Sequence, residues 1–164
     1  MREFFSFPNP VNDKAARTVA AVVLALVILT LASGWYWLLV PITYGFWARL
    51  LTGPRLSPLG WVAMRVIAPR LGAKRYVPGP PKRFAQGIGA AISTLALSFG
   101  LVLGDHGVAD ALLALFIPAA GLEACFGYCL GCRGFAILMR LGVIPDSVCL
   151  ECADISARLG VARG

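Results

Sequence analysis

Charge is scarce in this chain. Asp, Glu, Lys and Arg make up 14% of its 164 residues, hydrophobic residues 59%, and the mean hydropathy is +0.77. A soluble domain carries about 25% charged residues. The deficit argues against a water-soluble enzyme, and the apolar content excludes disorder. Histidine is nearly absent: His106 stands alone, so histidine-based catalysis or metal clusters have little material. With only Asp105 and Asp110 beside it, His106 reads as a polar loop residue. Cysteine is missing from the first 124 residues, and all five fall in the last quarter: Cys125, Cys129, Cys132, Cys149 and Cys152. The net charge of +7 could point to nucleic acid. In so apolar a chain it points instead to Lys and Arg gathered on the cytoplasmic side of a membrane, with no nucleic-acid partner.

The gaps between charges outline the spans. Residues 18–48 carry none. As one helix that run would measure about 46 Å, too long for a hydrocarbon core of roughly 30 Å. Ser33-Gly34 is a plausible turn, followed by Trp35, Tyr36 and Trp37, which suit an interface. The expectation is a hairpin, with Arg17 and Arg49 snorkelling to the same side and Pro41 kinking the second helix. Residues 84–104 form a third uncharged run, and 111–132 a fourth interrupted only by Glu123. The predicted fold is an all-α polytopic membrane protein in one domain, with four spans at about 16–33, 35–51, 84–104 and 109–132.

Charge placement sets the expected orientation. The loop 52–83 and its flanks hold Arg49, Arg55, Arg65, Arg70, Lys74, Arg75, Lys82 and Arg83 and no acid. The N-terminal segment holds Arg2, Lys14 and Arg17, and the tail 133–164 holds Arg133, Arg140, Arg158 and Arg163. Four spans put all three on one side, and the positive-inside rule makes that side the cytoplasm, with both termini there. This is the signature of a multi-pass membrane protein. Leu56 to Gly72 mixes apolar and basic residues as an interfacial amphipathic helix does, or as a solvated basic loop touching anionic lipid would. Val77-Pro78-Gly79-Pro80-Pro81 then breaks any helix before the chain re-enters the bilayer. Glu3, Asp13 and the further spans argue that the first apolar run is retained rather than cleaved as a signal peptide.

The cysteines carry the chemistry. If 121–134 continue as one helix, Cys125, Cys129 and Cys132 share one face, and Gly127, Gly131 and Gly134 the other. Glu123, an acid inside a span, marks either function or a hydrogen bond to a neighbouring helix. Cys129 and Cys132 form a CxxC pair with Arg133 adjacent, and a neighbouring cation favours the thiolate. In the second pair, Pro145-Asp146-Ser147 reads as a helix start. That places Cys149 in a first turn as nucleophile and Cys152 one turn on as resolving thiol, with the helix ending near Gly160. The same four residues, Cys129-x2-Cys132-x16-Cys149-x2-Cys152, also fit a zinc site of four cysteines. Inert packed cysteines are a third reading. Stable disulfides are not expected where the cytoplasm keeps thiols reduced.

Several stretches resemble a bacterial membrane family, domain of unknown function 4395. They are Phe7-Pro8-Asn9-Pro10-Val11-Asn12, Arg83-Phe84-Ala85-Gln86-Gly87-Ile88-Gly89, Cys129-Leu130-Gly131-Cys132 and Ile144 to Cys152. Ala153 and Arg133 stand where the family pattern has Asn and Lys. The resemblance implies a small helical membrane protein with two CxxC pairs, acting near thioredoxin-like or rhodanese-like proteins.

Together these features predict an inner-membrane protein that exchanges disulfides, electrons or sulfane sulfur with a cytosolic thiol protein. Its catalytic residues would be Cys149 and Cys152, with Cys129 and Cys132 as the second dithiol. A zinc-stapled scaffold is the first alternative. A small transporter of a sulfur compound is the second, its polar inventory limited to Glu123, Ser93, Thr94, Ser98, Thr43 and Tyr44.

Overall fold

The computed structural model describes residues 9, 11–53, 56–67, 70 and 76–149. Among these the chain is almost wholly helical. Its one sheet is a two-residue antiparallel clip, β1 (Val11–Asn12) against β2 (Tyr76–Val77). The clip ties the entry of the first helix to that of the fourth, and the Gly79 N–H adds a hydrogen bond to the Asn9 side chain at 2.8 Å.

Helix α1 (Asp13–Ser33) begins where Asn12 accepts the Lys14 N–H and ends at Gly34 in the left-handed region, φ 66°. The Ser33-Gly34 turn is thus observed as expected. Ala15, Val19, Val23, Val27 and Thr30, four residues or so apart, form its buried face, while Ile28 and Leu29 point outward. A 3-10 turn (Tyr36–Leu38) leads into α2 (Leu39–Thr52). Pro41 does not kink this helix from within. It lies in the first turn, where backbone N–H groups have no intrahelical partner to lose.

Among the described residues of the basic loop is the short helix α3 (Pro58–Val62), capped by Ser57 and extended by a π turn (Ala63–Ile67). It falls within the amphipathic stretch Leu56 to Gly72, most of whose remainder lies outside the described residues. Helix α4 (Gly79–Leu97) starts on a Pro-rich first turn and continues as a π segment, Ser98–Leu103. After Gly104 come α5 (His106–Ala114) and α6 (Phe116–Phe126), offset at Leu115. Pro118 explains the offset, because it has no N–H for the Ala114 carbonyl. Helix α7 (Leu130–Arg140) and a 3-10 turn (Asp146–Val148) complete the described chain. The helix expected to start at Asp146 or Ser147 and stop at Gly160 lies outside it from residue 150 onward, and its described beginning is this 3-10 turn.

Among the described residues three helices are long and apolar enough to cross a membrane: Asp13–Ser33, Gly79–Leu103 and His106–Phe126. Helix α2 packs antiparallel beside α4, and α1 beside α6. The packing leaves Trp35, Trp37, Tyr44, Trp47, Leu95, Val102 and Leu115 outward, an apolar surface far larger than a soluble monomer shows. One end of the bundle gathers the starts of α1 and α4 with the ends of α2 and α6. At the other end the Tyr36 hydroxyl donates to Asp110 at 2.8 Å, and the Tyr36 ring stacks on His106.

The long helix does not continue to residue 132. Gly127, at φ 68°, ends it, and α7 leaves in a new direction. The three-cysteine face expected over 121–134 therefore does not form. Gly131 serves a close approach of α7 to α4: a Cβ there would sit 2.6 Å from the Ala85 Cβ and 2.8 Å from its Cα. Gly131→Ala should cost about 1–3 kcal/mol, because backbone must move. Gly87→Ala, where a new Cβ meets only the Leu50 side chain at 3.8 Å, should stay within about 0.5 kcal/mol of wild type. Denaturation of the two purified variants checks this, and equal losses would contradict the close contact.

Candidate functional site

The site is built where α6 hands over to α7. Gly127 closes α6 by donating its N–H to the Glu123 carbonyl at 2.9 Å. Two residues later Cys129 takes the N-cap position of α7 in an extended conformation, and its sulfur accepts the Cys132 N–H at 3.3 Å. A Ser or Asp oxygen commonly fills this role. A sulfur there faces the positive end of the helix dipole, which favours the thiolate. Helix α7 is held on α4 through Gly131 and through the Phe135 ring against Phe84.

Below the pair lies a buried charge cluster. Lys82, in the first turn of α4, bonds the Glu123 carboxylate and lies 3.5 Å from an Asp13 carboxylate oxygen. One ammonium thus joins α4 to α1 and α6. Arg17 adds a second tie by donating to the Ala124 and Cys125 carbonyls at 3.2 and 2.7 Å.

These surroundings divide the two thiols. A hydrogen bond from the Cys132 thiol does most to hold Cys129 below its ordinary range. The Lys82 charge and the Cys132 N–H help, against burial and the Glu123 carboxylate. Cys132 is pushed strongly up, first by that same bond to Cys129 and then by burial. The arrangement favours the thiolate at Cys129 over that at Cys132, the asymmetry suited to a dithiol whose first sulfur attacks and whose second resolves.

The other singled-out residues fall elsewhere. Arg133 lies over the Tyr128 ring at 5.0 Å, and the cation acting on Cys129 is Lys82. Cys125 is an exposed free thiol on the last turn of α6. Cys149 follows the turn Asp146–Val148, is buried, and is disulfide-bonded. Cys125, Cys129 and Cys132 are free. The expectation of reduced cysteines throughout therefore does not hold at Cys149. Cys152 lies outside the described residues. Among the described residues no three His, Cys, Asp or Glu side chains gather to hold a metal ion. A disulfide sulfur also offers no thiolate to zinc. The intramembrane hydroxyls named for transport are used within the bundle. Thr43 donates to the Ser93 carbonyl, Ser93 and Thr94 to Ala90, Ser98 to Thr94 and Tyr44 to Leu56.

Arg49 does not snorkel. It is buried at 7% exposure, its Nε donating to Gln86 at 2.9 Å and one terminal nitrogen reaching Ser57 at 3.4 Å. Arg49, Gln86, Lys82 and Asp13 are the site residues that reading the sequence missed. Lys82 and Arg49 were absorbed into a basic loop, and Asp13 served only to argue against a signal peptide. Their one available signal was position: Asp13, Arg49 and Lys82 sit near helix ends beside uncharged runs, and Gln86 lies inside one.

Removing the ammonium while leaving both carboxylates should be severe. Lys82→Met is expected to cost about 3–5 kcal/mol, because Asp13 and Glu123 would stay buried without a cation. Adding Glu123→Gln should recover part of the loss. Chemical denaturation of the two variants measures both, and a Lys82→Met protein within 1 kcal/mol of wild type would contradict the ion cluster.

No curated protein and no solved structure matches the chain. A family profile does, over residues 11–140, which takes in the clip, the buried charge cluster and Cys129-Leu130-Gly131-Cys132 but stops before Cys149. With most of its length matched, the chain belongs to the family described as Domain of unknown function (DUF4395).

Proposed function

We propose that the chain handles thiols or sulfur at the bacterial inner membrane, exchanging disulfides, electrons or sulfane sulfur with a cytosolic thioredoxin-like or rhodanese-like partner. One observation carries this reading. The Cys129 sulfur caps the start of α7 above Lys82, with the Cys132 thiol one turn on. This exchanges the order of roles read from the sequence, because Cys149 is disulfide-bonded and cannot attack as it stands.

The Cys129 thiolate attacks one sulfur of a partner disulfide. A bond forms between Cys129 and that sulfur, the partner's S–S bond breaks, and the other partner sulfur leaves as thiolate. Cys132 then gives up its proton and attacks the Cys129 sulfur. A Cys129–Cys132 disulfide forms and the second partner thiolate leaves. The partner gains two electrons and the dithiol loses two. A reduced low-molecular-weight thiol of the cytosol then restores the dithiol: one thiolate attacks the Cys129–Cys132 disulfide, a second releases it, and the two leave as their own disulfide.

The proposed topology has four spans and both termini in the cytoplasm. The fourth span is the 3-10 turn with α2, residues 36–52, about 27 Å long, short for a core of roughly 30 Å but flanked by Trp35 and Trp37. Its support is that Lys14 and Arg17 at the start of α1, Arg49 at the end of α2 and Lys82 and Arg83 at the start of α4 lie at the end of the bundle bearing Cys129. Protease added to right-side-out vesicles should leave the 52–83 loop intact and cleave it in inverted ones; cleavage from outside would refute this orientation.

Incubation with an oxidised soluble thioredoxin tests the chemistry. Cys132→Ser should accumulate a mixed disulfide through Cys129, and Cys129→Ser should form none. Equal trapping in both variants, or trapping through Cys125, would exclude Cys129 as the attacking group.

A further inference from the structure

A cavity of about 290 Å³ lies inside the bundle between α1, α2, α4, α6 and α7. Its wall is made of small and apolar residues except at four places: Arg49, Gln86, Glu123 and Cys129. The void exists because Ala and Gly face it from several helices, among them Ala20, Ala85, Ala120, Gly131 and Gly134.

The ion pairs around it leave Arg49 out. Lys82 engages both buried carboxylates, Asp13 and Glu123. Arg17 is satisfied by main-chain carbonyls. Arg49 feels the Glu123 carboxylate across the cluster but makes no ion pair with it. Its hydrogen-bond partners are neutral, Gln86 and Ser57, and its second terminal nitrogen has none among the described residues. A guanidinium more than nine-tenths buried, with no ion pair and one nitrogen unbonded, is expensive. Its planar fork suits an oxyanion better than any other ligand class. A second cavity of about 230 Å³ touches Arg49 on another side and brings no other charged side chain.

We infer that the larger cavity is a binding site for a small monovalent oxyanion, a carboxylate or a sulfonate, held by Arg49 with Gln86 and carrying a short apolar body. Glu123 shares the wall with Arg49, so the smallest anionic charge suits the site. The apolar wall sets the body. Cys129 lines the same cavity, so the bound anion lies in one chamber with the sulfur at the start of α7. The site does not rest on the thiol-exchange reading, since the groups that bind are not the groups that would react.

Thermal unfolding of the purified full-length protein in lipid nanodiscs tests it, with acetate, butyrate, methanesulfonate and chloride compared at equal ionic strength. At least one oxyanion should raise the midpoint saturably by several degrees while chloride does not. Butyrate should act at lower concentration than acetate because of the apolar wall. Acetate and methanesulfonate separate the carboxylate source from the sulfonate source. Arg49→Gln should abolish the effect. Ala120→Leu, which fills the cavity without touching Arg49, should abolish it too and decides the matter if the Arg49 variant does not fold. Cys129→Ser should keep it, whatever becomes of thiol exchange. No oxyanion effect in the wild type, or the same shift in Ala120→Leu, would overturn the site.

Discussion

The structure hangs on one buried ammonium. Lys82 enters the bundle on the first turn of α4 and meets the carboxylates of Asp13 and Glu123, which arrive on α1 and α6. Between apolar helices the hydrophobic effect supplies little selectivity once lipid replaces water, so specific polar contacts and close packing fix which helices meet. Charges in such surroundings must be paired. The pairing sets the register of three helices at one end, and the Val11–Val77 clip and the Asn9 bond to Gly79 hold the same end from outside.

That register positions the thiols. With α6 anchored by Glu123 and closed by Gly127, the chain has two residues in which to turn before Cys129 caps α7. Gly131 then lets α7 rest on Ala85, only a turn from Lys82 along α4. The ion cluster and the CxxC pair are thus one construction. Lys82 holds the helices together, and its remaining field favours a negative sulfur at Cys129. Glu123 works against that field, which is why the sulfur's hydrogen bonds from Cys132 matter most.

Much of the fold was legible in the sequence because uncharged runs are a strong signal in a chain with so little charge. The Gly34 turn and the long helices near 16–33 and 84–104 appear at the expected places. The end of the fourth run was misread because Gly127 is ambiguous: a glycine in an apolar stretch can pack within a helix or end it, and only its positive φ decides. The same misreading produced the false three-cysteine face. Pro118 could have announced the offset at Leu115, and Asn12 the cap of α1. The CxxC pair at Cys129 was visible, but its activating cation was not. Arg133 is adjacent in sequence, whereas Lys82 lies 47 positions before Cys129 and reaches it only through the packing of α4.

The reactivity of Cys129 is the claim on which the account stands. Its most direct measurement is the pH profile of alkylation at each cysteine in the native membrane protein, read by peptide mass spectrometry. A Cys129 thiol held low should reach half its maximal rate below the ordinary thiol range of about 8.5, and Lys82→Gln should move that point upward. Cys132 should stay unreactive through the same range. Because the folded value is the lower one, Cys129 deprotonation adds stability that is full above about 8.5 and lost as pH falls through the folded value. A Cys129 profile centred at or above the ordinary range, unchanged by loss of Lys82, would contradict the account.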